Sequence, residues 1–202
     1  DQPSAAERTA ALELQSIVKQ VTGAELPIRT CGEVERGAKQ IVIGPSERFA
    51  ELLPDVKLDD VGADGIVIHC DGNSLILAGP PPRGTLYAVY SFLEDQVGCR
   101  WWTSTEETIP HQPTLSIPPH SITYAPKLKS REAYYRDAFE AKFSARQKLN
   151  GHSASVDPTL GGNVRFTDFV HTFFPFLPPA VYFEQHPEWY SLIDGKRVHE
   201  QA

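Results

Sequence analysis

The chain has 202 residues, about 1.3 times the roughly 150 of a typical domain, which implies one complete domain and a remainder. Hydrophobic residues are 41% and charged residues 22%, so a disordered or collagen-like polymer is excluded. No apolar run approaches the roughly 18 residues of a membrane span. With 19 cationic and 26 anionic side chains the net charge is −7, which favours a soluble chain and leaves no basic footprint for nucleic acid.

Ser4 and Glu7 have capping-box spacing ahead of Ala10, Leu14, Ile17, Val18 and Val21, which share one helical face up to Gly23. Leu26 to Thr30 and Gln40 to Gly44 read as short strands, and Ser46 to Leu53 as a short helix. Gly65 to Cys70 and Leu75 to Gly79 flank an Asp71-Gly72 turn, the pattern of a β-hairpin. Gly79 to Thr85 holds three prolines and lacks a phosphate-loop ending, so it is expected to be a rigid turn. It leads into a helix with Leu86, Val89, Tyr90, Leu93 and Val97 on one face, closed by Gly98, and then a strand from Cys99 to Thr103. The first 125 residues therefore read as an α/β domain, an α+β mixed sheet with packed helices.

Eight of the seventeen prolines fall between residues 80 and 126, which places a linker at about 110–126. Beyond it, Arg131 to Arg136 reads as a strand, Asp137 and Glu140 as the start of a helix carrying Phe139, Phe143 and Leu149, and Thr167 to His171 as another strand. Pro179 opens a short helix to His186, and Trp189 to Ile193 is a strand ending in an Asp194-Gly195 hairpin signal. That strand, helix, strand order reads as the truncated start of a (β/α)8 barrel over residues 127–202.

Aromatic residues follow the same division. Residues 1–86 hold one of the twenty and residues 124–202 hold fourteen. Sugars present C–H faces that pack on flat rings, and the adjacent Trp189 and Tyr190 should point to opposite faces, leaving one of them exposed. Asp137 follows a predicted strand, where barrel enzymes place functional groups, but it also fits a helix N-cap. His171 is read either as a donor to a sugar hydroxyl or as a buried, satisfied histidine. The three cysteines match neither a disulfide framework nor a zinc knuckle and are read mostly as buried thiols. No pair of the seven histidines has helical ligand spacing, so neither a metal nor a cofactor is expected. The absence of Met at position 1 hints at a processed, exported chain.

Arg83 to Asp95, running on into Gly98-Cys99-Arg100-Trp101-Trp102 and Glu106 to Pro110, resembles bacterial proteins carrying the domain of unknown function 4838. Two further blocks share that resemblance, Arg131 to Phe139 and His171 through Tyr182, His186 to Trp189 and Ser191 to Arg197. Such proteins look like relatives of family 67 α-glucuronidases and, more distantly, family 20 hexosaminidases. The resemblance implies an accessory α/β domain, a barrel after it, and a secreted or periplasmic glycoside hydrolase acting on carbohydrate. It also implies that the catalytic carboxylates lie beyond residue 202, so no catalytic residue is assigned within the chain. Arg136, Asp137, His171 and Trp189 match family blocks and are the expected substrate-binding residues. Expected partners are a carbohydrate ligand and the remainder of the barrel or a second chain, with neither nucleic acid nor membrane. A non-catalytic carbohydrate-binding or scaffolding module is the alternative.

Overall fold

The computed structural model describes residues 2–168 and 170–200. Helix α1, Ala5–Thr22, begins with the full capping box: the Ser4 hydroxyl accepts the Glu7 amide, and the Glu7 carboxylate accepts the Ser4 amide. It ends at Gly23 in the left-handed conformation, with Ala10, Leu14, Ile17, Val18 and Val21 buried as the spacing predicts. Strand β1 is Gln40–Ile43, helix α2 is Glu47–Leu52 with Ser46 as its cap, and helix α3 is Leu58–Val61. Strands β2, Ile66–Cys70, and β3, Ser74–Ala78, form the expected hairpin. At its turn the Asp71 carboxylate accepts the amides of Asn73 and Ser74, while Gly72 takes a positive φ of 88°.

Helix α4, Gly84–Phe92, is buried along its whole length and continues through a π-helical turn, Leu93–Val97, to Gly98. Strands β4, Arg100–Trp101, and β5, Glu107–Thr108, pair as a small ribbon. Strand β6, His120–Tyr124, pairs antiparallel with β2 inside the stretch expected to be linker. As an edge strand it tolerates Pro118 and Pro119 immediately ahead of it, because an edge donor can be lost without breaking an inner ladder. The sheet order is β1-β3-β2-β6, with β1 parallel to β3 and the other pairs antiparallel. The first region is thus a mixed α+β fold.

The sheet is covered on both faces. One cluster joins α1 and α4 to Ile66, Ile68, Leu75 and Leu77. The other packs Phe49, Leu52 and Val61 against Val42, Val67, Ile76 and Ala78. Every residue of β3 is buried, which explains why its sequence is a continuous apolar run.

The described chain divides into two compact units, one up to Val164 and one from Arg165. Within the first, residues 136–139 form a 3-10 turn, helix α5 is Ala141–Arg146, and residues 158–160 form another 3-10 turn. The second holds helices α6, Phe173–Phe176, and α7, Pro179–Tyr182, a 3-10 turn at Pro187–Trp189, and the hairpin of β7, Leu192–Ile193, with β8, Lys196–Arg197.

Five predicted strands differ, the fifth being 189–193, of which only Leu192–Ile193 is a strand. Residues 26–30 are unpaired coil, the 99–103 strand is reduced to its first paired residues, and residues 131–135 form no strand. In the fourth, 167–171, Phe169 lies outside the described residues and its neighbours form turns, with Asp168 and His171 at positive φ. A barrel strand depends on neighbours that take up its backbone hydrogen bonds on both sides, and the described residues supply none there. No closed barrel is formed by the described residues.

Candidate functional site

The segment after residue 126 is fastened to the sheet domain by one buried carboxylate. Asp64, 4% exposed and at positive φ, sits between α3 and β2. It accepts Arg83 Nε at 2.7 Å, Arg131 Nη2 at 2.8 Å and Asn150 Nδ2 at 2.7 Å. Arg83 also donates to the carbonyls of Gly161 and Gly162, and Arg131 to those of Lys148 and Leu128. Arg131 and Asn150 bond reciprocally, each amide to an acceptor of the other. A single buried negative charge is thus shared by two guanidinium groups whose other donors meet carbonyls, so the buried charges are paired and hydrogen-bonded.

Close approach makes this geometry attainable. A Cβ on Gly84 would lie 2.6 Å from the Gly65 carbonyl oxygen and 2.7 Å from Gly79, so the strand-to-helix turn closes only with glycine. The expected rigid turn over Gly79–Thr85 is present, and it delivers Arg83 to Asp64. The adjacent Tyr87 hydroxyl donates to the Leu149 carbonyl at 3.0 Å, under the Arg131 guanidinium. Burial, with Asp64 nearby, pushes the Tyr87 hydroxyl up to about 12, so it stays a neutral donor.

The same compact unit holds two of the four expected sugar-binding residues. Asp137 follows no strand; its carboxylate accepts the Ser104 amide at 2.9 Å and the Ser104 hydroxyl at 2.6 Å. Those hydrogen bonds, the hydroxyl first, hold its carboxyl below the usual range, so it is an ionised fastener for the loop between β4 and β5. Arg136 beside it is exposed. The ribbon is pinned from α5 as well: Arg146 pairs with Glu107 and lies over Trp101, and Gln147 donates to the Trp101 carbonyl. This framework presents rings to solvent. Tyr134 is 83% exposed and Trp102 62%, Tyr135 and Phe139 are also exposed, and Tyr134 meets Phe139 edge-on at 5.0 Å. The Trp102 indole donates to the Thr108 hydroxyl, which fixes the ring.

His171 and Trp189 belong to the second unit. Tyr190, 2% exposed, is its centre: Phe173 and Phe183 meet it edge-on, and its hydroxyl donates to the Leu177 carbonyl. Trp189 is 45% exposed, so adjacent rings do take opposite environments, although a 3-10 turn rather than a strand separates them. His186 stacks on Trp189 at 3.9 Å and 5°, and its Nδ1 lies 3.1 Å from Glu188 Oε1. His171 is exposed rather than buried. The structure therefore brings Arg136 and Asp137 together in one unit and places His171 and Trp189 in the other.

Of the cysteines, Cys70 and Cys99 are buried as expected, whereas Cys31 is exposed. Among the described residues no group of three or more His, Cys, Asp or Glu is placed to hold a metal ion, and no helix is long and apolar enough to cross a membrane.

The family described as domain of unknown function (DUF4838) matches residues 101–202. The chain belongs to this family. The DUF4838 match includes Arg136, Asp137, His171 and Trp189, as well as Arg131 and Asn150 of the clasp and the exposed Trp102 and Tyr134. No curated protein matches the chain. Reading residues in order missed Asp64 and Asn150, which stand 86 positions apart and carry no motif. The one available signal was a polar Asp64 and Arg83 flanking an apolar hairpin and helix.

Proposed function

We propose that this DUF4838 chain is the N-terminal, carbohydrate-facing part of a glycoside hydrolase of α-glucuronidase type. In this reading it comprises an accessory α+β domain and the opening of a (β/α)8 barrel, it is exported, and the catalytic carboxylates come from sequence beyond residue 202. The exposure of rings within the family segment, Trp102, Tyr134 and Trp189, is the observation that carries the reading. Flat exposed rings next to fixed polar groups match the alternating C–H faces and hydroxyls of sugars. Arg136, exposed beside Asp137, would meet the carboxylate of a uronic acid, for which a guanidinium fork is suited.

The carboxylates support a division of labour. Glycoside hydrolysis needs one carboxylic acid held protonated near neutrality by a raised pKa. Asp137 and Glu132 are both shifted the other way by donors, Ser104 and Ser153, that lock the ionised form. They orient loops rather than deliver protons.

The test compares this chain with a C-terminally longer version on aryl glucuronides and neutral aryl glycosides. Turnover is expected from the longer chain only; strong turnover by residues 1–202 would overturn the division of labour. The stacked His186–Trp189 pair favours the second reading, a non-catalytic binding or scaffolding module. Under that reading glucuronate-bearing oligosaccharides bind, Trp189→Ala weakens them, and the longer chain hydrolyses nothing.

A further inference from the structure

Strand β1 is an edge of the sheet, and its outer side is open. Gln40 and Gly44 donate their amides to Asn73 and Leu77, so in this parallel register the amides and carbonyls of Ile41 and Ile43 face away from β3. Between that edge, α1 and the unpaired coil of residues 26–29 runs a groove of about 410 Å3. Its apolar walls include the exposed Leu12, Ile28 and Ile41.

The charge of the groove runs against that of the chain. The whole sequence carries −7, yet three arginines and one carboxylate line this surface. That carboxylate, Glu7, is engaged by the Ser4 amide, and Arg48 is tied to Gln40 and Glu51. Arg8 and Arg29 are exposed, with no ion pair among the described residues. An open strand edge, an apolar trough and two exposed cations outside any ion pair are together the recognition elements for one kind of ligand.

We propose that this groove accepts an extended acidic peptide strand, which adds to β1 through the backbone of Ile41 and Ile43, buries alternate apolar side chains against Leu12 and Ile28, and sets carboxylates on Arg8 and Arg29. Small sugars lack the repeating amides needed to pair with a strand edge, so this site is separate from the aromatic surface proposed above. Cys31 lines the same groove and supplies a native reporter, since the other thiols are buried and burial pushes Cys99 up to about 11.

The probe is an acetylated, amidated octapeptide that alternates valine with threonine and carries glutamate at both ends. Titrated into the intact chain and followed by fluorescence anisotropy, it should saturate and should slow modification of Cys31 by a thiol reagent. Of two twins N-methylated at every second amide, one in each register, only the one whose methyl groups face β1 should bind about tenfold more weakly, because each lost ladder bond is worth roughly 1 kcal/mol. The surface variant Arg29→Glu should weaken binding about threefold or more and reduce its salt dependence. Failure to saturate at about 1 mM overturns the proposal. So does equal binding of the N-methylated twins, which marks apolar adsorption instead, or equal binding of a lysine-ended peptide.

Discussion

At the scale of single residues, Asp64 does the work of several. Three donors from sequence positions 83, 131 and 150 converge on its two oxygens, and each donor also holds a backbone carbonyl. Removing its charge leaves two largely buried guanidinium groups facing each other. Asp64→Asn should therefore cost about 3 kcal/mol or more of unfolding free energy, measured by urea denaturation. Arg83→Lys should also destabilise, since an ammonium cannot span Asp64 and the paired glycine carbonyls as a fork does. Asp137 is the contrasting case: its residue type and position invited a functional reading, yet its partner Ser104 makes it a loop fastener.

At the scale of elements, the β2–β3 hairpin shows how far local chemistry reaches. Asp71 is held ionised by the amides of Ser74 and then Asn73, so its folded pKa lies below its ordinary 3.8. A depressed carboxyl stabilises the fold above the unfolded value, and that contribution disappears as pH falls through the folded value. Asp71→Ala should cost about 1 kcal/mol at neutral pH. The gap between variant and parent should narrow below pH 3.8 in paired denaturation curves, and a gap independent of pH would remove the carboxylate from the account. Helix α1 and this hairpin were legible because every signal they need, cap, periodicity and turn, lies within a few residues. After residue 98 the pattern located β4, β7 and the Asp194-Gly195 hairpin but overran both strands and predicted one at 131–136 that does not form, because a strand is completed by its neighbours and not by its own pattern. β6 shows the converse, a proline-flanked segment that becomes a strand because β2 offers it an edge.

At the scale of the whole molecule, the first compact unit reaches Val164, well past the proline-rich stretch. The reason is visible in the clasp: Arg131, Asn150, Gly161 and Gly162 complete a polar network begun by Asp64 and Arg83. A chain of residues 1–164 should unfold in one cooperative thermal transition. A chain ending at residue 125 should lose that transition or melt far lower, because it leaves Asp64 and Arg83 each without two of their three hydrogen-bond partners. Equal melting of the two would place the boundary at the linker.

By itself the sequence determined helices α1, α2 and α4, the β2–β3 hairpin, the division in aromatic content and the family to which residues 101–202 belong, since all of these are written in local periodicity, composition or contiguous blocks. Only the tertiary structure decided which polar residues are buried together, which rings reach solvent and which strand edge stays open. Those outcomes depend on contacts between residues tens of positions apart, whose free energy exists only once the chain has closed around them.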